Sequence, residues 1–225
     1  MTSYTVLTAG AEVVAELERK KSRFLTVMRR AETADDAHQL VGELRKEHHT
    51  ARHHCSAWVL GHDRRIQRAN DDGEPSGTAG APLLEALTKA GMPTGPRDFS
   101  DVVVVVVRWF GGTLLGAGGL VSAYSDSVVG VVGLARAQGV FRTRQRMRRF
   151  TLAAPVAVAG RWENELRTAE VTVLGIDYTF APDSALLSLA VPDRTDDVAR
   201  LTTYAATMSS GTASLTPDGV DWVDA

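Results

Sequence analysis

The stretch that decides the fold is residues 102–119, which read VVVVVVRWFGGTLLGAGG. The valine run predicts a β-strand, because β-branched side chains fit an extended backbone. Successive side chains of a strand point to opposite faces, so an apolar run without alternation indicates a strand covered on both faces. We therefore expect a central strand that leads into a glycine-rich loop, and this loop is either a ligand site or a close-packed turn.

The glycine pattern excludes two common nucleotide-binding motifs. Counting from Gly111, a Walker A loop would need Lys and then Ser or Thr where Ala117 and Gly118 stand. A dinucleotide fingerprint that begins at Gly116 has Val121 in place of its last glycine. Two alternatives remain equal, a loop that packs closely and a loop whose N–H groups hold a phosphate beside a surface arginine. The residues of the phosphate alternative are Arg108, Gly111, Gly112, Gly118 and Gly119.

A second loop, residues 70–80 (NDDGEPSGTAG), joins three carboxylates to small residues at the start of an expected helix. Carboxylates hold hard cations and free N–H groups at a helix start hold anions, so a metal site and a phosphate site are both open. The simpler alternative is a turn with an N-cap at Ser76 or Thr78. The motif residues of this loop are Asp71, Asp72, Gly73, Glu74, Pro75, Ser76, Gly77 and Thr78.

Composition places the chain among cytoplasmic globular proteins. Its 44% apolar and 23% charged residues are ordinary for that class. The single cysteine, Cys55, excludes an intrachain disulfide and suits a reducing compartment. The longest apolar run, residues 102–107, is far shorter than the roughly 20 residues of a membrane helix. The N-terminal segment MTSYTVLTAGAEV lacks the pattern of a secretory signal, so we expect no membrane partner.

Charge divides the chain into two parts. Residues 1–149 carry 21 basic and 16 acidic side chains, whereas residues 150–225 carry 4 basic and 11 acidic ones. Two surfaces of opposite sign favour two domains, and we place them at residues 1–142 and 148–225.

Hydrophobic periodicity predicts an α+β fold. In the first domain it predicts strands over residues 12–18 and 23–30, and a helix over 34–48 capped by Thr33. A hairpin over 55–61 and 64–68, a helix over 81–90, the valine strand and a helix over 120–138 follow. In the second domain it predicts a strand over 148–159, a helix over 161–174, and two strands around a turn at 182–184. A helix over 193–208 and a strand over 212–223 complete the β-α-β-β-α-β order of a ferredoxin-like domain.

All six histidines lie between His38 and His62, around Cys55. Zinc usually needs four ligands, and no second cluster of ligands appears elsewhere in the sequence. Cys55 alternates with Ala57 and Val59 on an apolar face, which favours a buried structural thiol over a nucleophile. We expect His48 and its neighbour His49 to end the preceding helix.

A row of arginines precedes the second domain. Arg142, Arg144, Arg146 and Arg148 share one face if the segment is extended. Such a row can contact successive phosphates of a nucleic acid. The alternatives are a solvated strand edge and contact with the acidic residues of the second domain.

The motifs DDGEPSGTAGAP (71–82) and DVVVVVVRWFGGTLLGAGGLVSAY (101–124), with KSRF (21–24) and ARHHC (51–55), resemble the IMPACT/YigZ family. The resemblance covers about residues 15–135, and the second part resembles the C-terminal domain of bacterial YigZ-type members. It implies a first domain like the second domain of ribosomal protein S5, an α/β sandwich. It also implies a ferredoxin-like second domain similar to the last domain of elongation factor G.

The resemblance also implies a role near translation. Eukaryotic IMPACT members regulate translation by competing for the activator of an amino-acid-starvation kinase, and a nucleic-acid or ribosome-related role is proposed for bacterial members. This chain departs from the family at Leu114, where a lysine is common, and at Val121–Ser122–Ala123–Tyr124, where VRAY is common. Two cations near the glycine loop are therefore missing.

The leading hypothesis is a non-catalytic binding protein without a cofactor, acting on RNA, the ribosome or a translation factor. It expects Arg108 and the arginine row to lie on one exposed face. The first alternative is a metal-dependent hydrolase or transferase that uses Asp71, Asp72 and Glu74, which requires these carboxylates to converge. The second alternative is a module that binds only proteins.

Overall fold

The computed structural model describes residues 2–93, 95 and 97–224, and the chain divides into two compact units, Ser3–Thr143 and Arg144–Ala225. The strands and helices of the first unit are β1 (Ser3–Leu7), β2 (Glu12–Arg19), β3 (Ser22–Arg30), α1 (Ala34–Glu47), β4 (His53–Leu60), β5 (Ile66–Asn70), α2 (Gly80–Lys89), β6 (Val102–Trp109) and α3 (Gly116–Ala137). The chain continues as β7 (Phe141–Pro155), α4 (Val156–Thr168), β8 (Thr172–Ala181), β9 (Ser184–Pro192), α5 (Thr195–Met208) and β10 (Leu215–Asp224).

The valine strand is the middle of the first unit's sheet, whose order is β2-β3-β6-β4-β5. Val102, Val104 and Val106 face one apolar cluster with α2 and α3, and the alternate valines face a second cluster with α1. The six valines of residues 102–107 are buried on both faces of the sheet. The prediction of a central strand covered on both sides is confirmed.

The helices bury the faces that the sequence assigns to them. Thr33 caps α1 by accepting a hydrogen bond from the Asp36 N–H, and the Asp36 carboxylate accepts one from the Thr33 N–H. The reciprocal pair satisfies two backbone donors that a helix start otherwise leaves unpaired.

α3 is apolar and long enough to span a membrane by composition alone, but its inner face, including Tyr124 and Val131, is buried in the first unit's core. It is built as a core helix.

The second unit has the ferredoxin-like topology. Its strands lie in the order β10-β7-β9-β8, and each neighbouring pair is antiparallel. Trp162 and Leu166 of α4 pack with Leu201 of α5 against the sheet residues Leu187 and Leu189. The chain therefore has the expected α+β fold.

Several predicted boundaries are wrong. The strand predicted over residues 148–159 begins at Phe141 and ends at Pro155, and α4 begins at Val156 rather than at 161. Pro155 ends the strand because it has no N–H to donate, and its fixed φ suits a helix start. α4 also stops at Thr168 instead of 174, since Glu170 adopts a left-handed φ of 61°. α3 begins at Gly116 rather than at 120; its first turn is built of small residues that carry no hydrophobic period.

The glycine loop packs closely at one residue. A Cβ added to Gly111 would lie 2.0 Å from the carbonyl carbon of Lys21, in the turn between β2 and β3. The Gly111 N–H also donates to the Ser22 hydroxyl at 3.2 Å. The loop therefore needs glycine at this residue for packing against a neighbouring backbone, which favours the close-packed alternative there.

Replacing Gly111 with alanine should lower the free energy of unfolding by about 1–3 kcal/mol, because the new methyl group meets backbone that has to move. The matched control is Gly130→Ala in α3, where a Cβ meets nothing within 4 Å. That change should raise the free energy of unfolding by up to about 1 kcal/mol, since alanine is the better helix former. Urea unfolding of both variants makes the comparison. Equal effects of the two changes would contradict the close approach at Gly111.

Candidate functional site

The two loops meet at a cleft of about 360 Å³ in the first unit. The loop between β5 and α2 contributes Glu74 and Pro75 to its lining. The loop between β6 and α3 contributes Phe110 and Leu114, together with the first residues of α3. Arg52 and His53, at the start of β4, complete the lining. The two motifs that are far apart in the sequence thus form one site.

Asp71 holds the first loop in shape. Its carboxylate accepts hydrogen bonds from the N–H groups of Gly77, Ala79 and Gly80, at 2.8, 3.0 and 2.8 Å. Burial by itself would raise the pKa of Asp71, but these donors outweigh it and lower the pKa. Asp71 therefore satisfies the start of α2, whose N-cap residue is Ala79. The expected N-cap at Ser76 or Thr78 is wrong, because the carboxylate reaches the same N–H groups from outside the helix.

The carboxylates of the first loop do not converge on a common point. Asp72 accepts a hydrogen bond from the His54 N–H at 2.6 Å and pairs with Arg45, whereas Glu74 turns inward to Arg108. Within residues 2–93, 95 and 97–224, no three Asp, Glu, His or Cys side chains are grouped as a metal ion would require. The arrangement does not favour the metal-dependent alternative, since each carboxylate already serves a donor of the protein.

A buried ion pair forms the floor of the cleft. Arg108 Nη1 lies 2.5 Å from Glu74 Oε1, and the two side chains are 6% and 3% exposed. The Tyr124 hydroxyl donates to the same Glu74 oxygen at 2.7 Å, and Arg108 lies 5.4 Å from the ring centre of Phe24. The expectation of an exposed Arg108 is wrong. A buried guanidinium needs a counter-charge, and the Glu74 carboxylate supplies it, so Arg108 is stable inside the unit instead of at its surface.

Cys55 is linked to this ion pair through Tyr124. Its thiol donates to the Asp71 carbonyl oxygen at 3.0 Å and lies 3.3 Å from the Tyr124 hydroxyl. The side chain is fully buried, as expected of a structural thiol. Burial raises the pKa of Cys55 to about 12, and the negative charges of Glu74 and Asp72 add to the shift. A thiol in this state is a weak nucleophile.

The start of α3 also lines the cleft. No side chain among the described residues caps this helix, and Gly116 and Ala117 lie in the cleft lining. Arg52 is exposed there and forms no ion pair with any described residue. Phe110 is 45% exposed and Leu114 81%. Arg52 and Phe110 were missing from the predicted site residues, although the family motif ARHHC and the stretch RWFGG contain them.

The remaining predicted glycines have different positions. Gly112 takes a left-handed φ of 85° after the close contact at Gly111. Gly118 and Gly119 lie in the first turn of α3, where Gly118 is exposed and Gly119 packs near Leu115. They belong to the helix start and not to a free loop.

The arginine row lies on β7, and three of its four members lie against acidic side chains. Asp193 accepts from Arg146 Nε at 3.0 Å and from Arg148 Nε at 2.7 Å. Arg144 lies 3.9 Å from Asp224, and Arg142 donates to the carbonyl groups of Gly139 and Phe141. Contact with acidic residues of the second part was one of the stated alternatives, and the geometry fits it. Arg144, Arg146 and Arg148 are therefore engaged by two carboxylates, of which Asp193 serves two arginines.

Comparison with known proteins agrees with this architecture. The model of the Impact N-terminal domain matches residues 20–132. IMPACT family member YvyE of Bacillus subtilis is 41% identical over 183 residues, which cover 78% of this chain and 75% of the relative. IMPACT family member YigZ of Escherichia coli is 43% identical over 130 residues, which cover 57% of this chain and 59% of the relative.

A solved crystal structure of a hypothetical protein has a TM-score of 0.62 and 34% identity, over 96% of this chain and 97% of that chain. The fold, the cleft and these matches define a two-domain α+β protein whose first part is an Impact N-terminal domain. The chain belongs to the IMPACT family. The family resemblance of the sequence motifs is confirmed.

Substitution of Glu74 by glutamine should lower the free energy of unfolding by about 3–5 kcal/mol, because it leaves the Arg108 guanidinium buried without a counter-charge. The matched control is Glu16→Gln, which breaks the exposed pair of Glu16 with Arg23. This change should cost less than about 1 kcal/mol. Chemical denaturation measures both. A loss for Glu74→Gln no larger than that of the control would show that the buried pair contributes little.

The shifted Cys55 pKa gives a pH-dependent prediction. The folded state favours the neutral thiol, since its pKa is about 12 against an ordinary 9.0. Its stabilising contribution is complete below pH 9 and is lost as the pH rises towards 12. The free energy of unfolding should therefore fall across this range, and less steeply in Cys55→Ala.

Iodoacetamide provides an independent measurement on the same residue. The native protein should resist alkylation at pH 8, whereas protein unfolded in urea should react. Rapid alkylation of the native protein would show that Cys55 is accessible and that its pKa is not raised.

Proposed function

We propose that this chain is a non-catalytic, cytoplasmic RNA-binding protein of the translation apparatus, with the cleft of the first unit as its RNA site. The observation that supports this most is the start of α3, which lines the cleft beside the exposed Arg52 and Phe110. Among the described residues, no side chain caps this helix and none forms an ion pair with Arg52. The family resemblance points to the same area of function.

The charges of the cleft favour an anionic ligand. Glu74 and Arg108 neutralise each other in the floor, so Arg52 supplies the remaining full charge of the lining, and His53 adds a ring nitrogen. The N–H groups at the start of a helix carry partial positive charge and bind phosphate. His53 Nδ1 lies 2.9 Å from the Asp72 carbonyl oxygen, which must accept, so this nitrogen carries the hydrogen. The second ring nitrogen, Nε2, is the acceptor in the neutral ring and a second donor when the ring is protonated.

The apolar lining favours a nucleotide over a free phosphate ion. Phe110 is 45% exposed at the cleft, and the aliphatic side chain of Leu115 also lines it. Exposed aromatic rings bind single-stranded RNA by stacking on bases, with little dependence on sequence. A phosphate at the start of α3 and a base on Phe110 would together use both parts of the site. In this arrangement the start of α3 binds the phosphate, a role that the lysine commonly found in the family at the position of Leu114 could otherwise serve.

The proposal differs from the first expectation in the residues that bind. Arg108 contributes by holding Glu74 and the loop, and the β7 arginines are engaged by Asp193 and Asp224. The geometry does not favour the enzyme alternative, because the carboxylates it needs accept hydrogen bonds from backbone and arginine donors.

The test is binding of a fluorescein-labelled 12-nucleotide single-stranded RNA of mixed sequence, followed by fluorescence anisotropy over a range of salt concentrations. Arg52→Glu should weaken binding about tenfold and reduce the salt dependence, because one phosphate contact is lost and a repulsion is added. The matched control is Arg65→Glu, which changes an exposed arginine in the turn between β4 and β5. Its affinity should stay within about twofold of the unmodified protein.

A further variant separates the cleft from β7. Arg144→Ala/Arg146→Ala should leave RNA binding nearly unchanged, since these side chains are paired with Asp224 and Asp193. Loss of binding in that variant, with normal binding by Arg52→Glu, would move the RNA site to β7. Absence of salt-sensitive RNA binding by the unmodified protein would overturn the proposed function.

A further inference from the structure

The strand β8 lies at an edge of the second unit's sheet. In the order β10-β7-β9-β8 it pairs with β9, and the described strands provide no partner on its other side. In an antiparallel pair, alternate residues turn their N–H and C=O groups away from the partner strand. The Val173 carbonyl oxygen accepts from Arg167 Nη2 at 3.3 Å and the Thr179 N–H donates to the Asp177 carboxylate. The other outward N–H and C=O groups of β8 match those of an added strand.

The side chains of β8 are unusually apolar for an exposed edge. Leu174, Tyr178 and Phe180 are 53%, 53% and 52% exposed. The pairing with β9 is irregular between Val173 and Gly175 and between Asp177 and Ala181, and the three exposed side chains lie within these two segments. Three large apolar side chains on one exposed edge indicate a surface that a partner covers.

The hairpin formed by β8 and β9, with the residues that lead into it, carries only negative charges. Between residues 169 and 192 the acidic residues are Glu170, Asp177 and Asp183, and the segment contains no Lys, Arg or His. Edge strands of soluble proteins are commonly protected by lysines, which are missing here. The Asp177 carboxylate accepts from the Thr179 N–H at 2.8 Å and from its hydroxyl at 2.6 Å, so the charge is fixed on the strand.

We propose that β8 is the docking site for an extended peptide segment of another protein, in which basic and apolar residues alternate. The segment adds to the sheet as a strand next to β8 through main-chain hydrogen bonds. Its apolar side chains cover Leu174, Tyr178 and Phe180, and its basic side chains meet the acidic residues of the hairpin.

Charge selects this occupant over a second copy of the chain. Two copies joined at β8 would bring two hairpins together, each with three acidic residues and no basic one. Like charges across adjacent strands are destabilising. The same acidity opposes RNA. The docking site lies in the second unit, so it is independent of the cleft proposed to bind RNA in the first unit.

The probe is a fluorescein-labelled peptide of nine residues in which lysine and valine alternate. Fluorescence anisotropy should show that it binds the full chain, and hydrogen exchange should show protection of alternate β8 amides in the complex. A peptide with glutamate in place of lysine should not bind. A lysine–valine peptide with proline in place of alternate valines should not bind either, because it lacks the N–H groups that pair with β8.

Tyr178→Ser/Phe180→Ser should weaken binding of the lysine–valine peptide at least about fivefold, which is the loss of about 1 kcal/mol at an apolar contact. The matched control is Val121→Ser/Val129→Ser, which changes two exposed apolar residues of α3. Its affinity should not change. If the first variant fails to fold, as judged by circular dichroism, Asp177→Lys replaces it and should weaken binding of the basic peptide.

Three results would overturn the docking site. The first is no binding of the lysine–valine peptide, and the second is equal binding of the glutamate peptide. The third is self-association of the chain in sedimentation experiments that Tyr178→Ser/Phe180→Ser abolishes, since this would make a second copy the occupant. RNA binding at the cleft is measured separately, so failure of one proposal leaves the other standing.

Discussion

Arg108 leaves the end of the valine strand and meets Glu74 inside the first unit, where both side chains are nearly excluded from water. Burial of either charge alone would be costly, so each requires the other. Glu74 belongs to the loop before α2, and Tyr124 of α3 donates to the same carboxylate oxygen. One interaction therefore ties together the central strand, the carboxylate loop and the long helix, and the cleft exists because these three segments are held at this point.

The two motifs that characterise the chain serve mainly to build this arrangement. Asp71 satisfies the start of α2, and Gly111 lets the second loop lie against the β2–β3 turn. Residues with catalytic or metal-binding chemistry in other settings are used here as structural partners. The groups left for a ligand are those without a structural task, namely Arg52, Phe110 and the backbone at the start of α3.

In the second unit, too, some charged side chains pair within the fold while another surface stays exposed to a partner. Three of the four arginines in the β7 row lie against acidic side chains, and Arg146 and Arg148 share the one carboxylate of Asp193. A row that resembles a phosphate-binding surface in the sequence is therefore partly engaged within the fold. The acidic hairpin of β8 and β9 has no such basic partners within residues 169–192. This hairpin also leaves the large apolar side chains of Tyr178 and Phe180 about half exposed to water, so it is the surface of the second unit that a partner would cover.

The sequence by itself determined the central valine strand, the Thr33 cap, the ferredoxin-like order of the second part and the family, because periodicity, capping and motif order are local properties. The sequence did not predict that helices begin at Gly116 and Val156, since small residues and proline carry no hydrophobic period. Only the tertiary structure decided that Arg108 is buried and that Arg52 is exposed without an ion pair among the described residues. Whether a charge is paired depends on residues brought together from 34 positions away, as Glu74 and Arg108 are, and no local pattern encodes that distance.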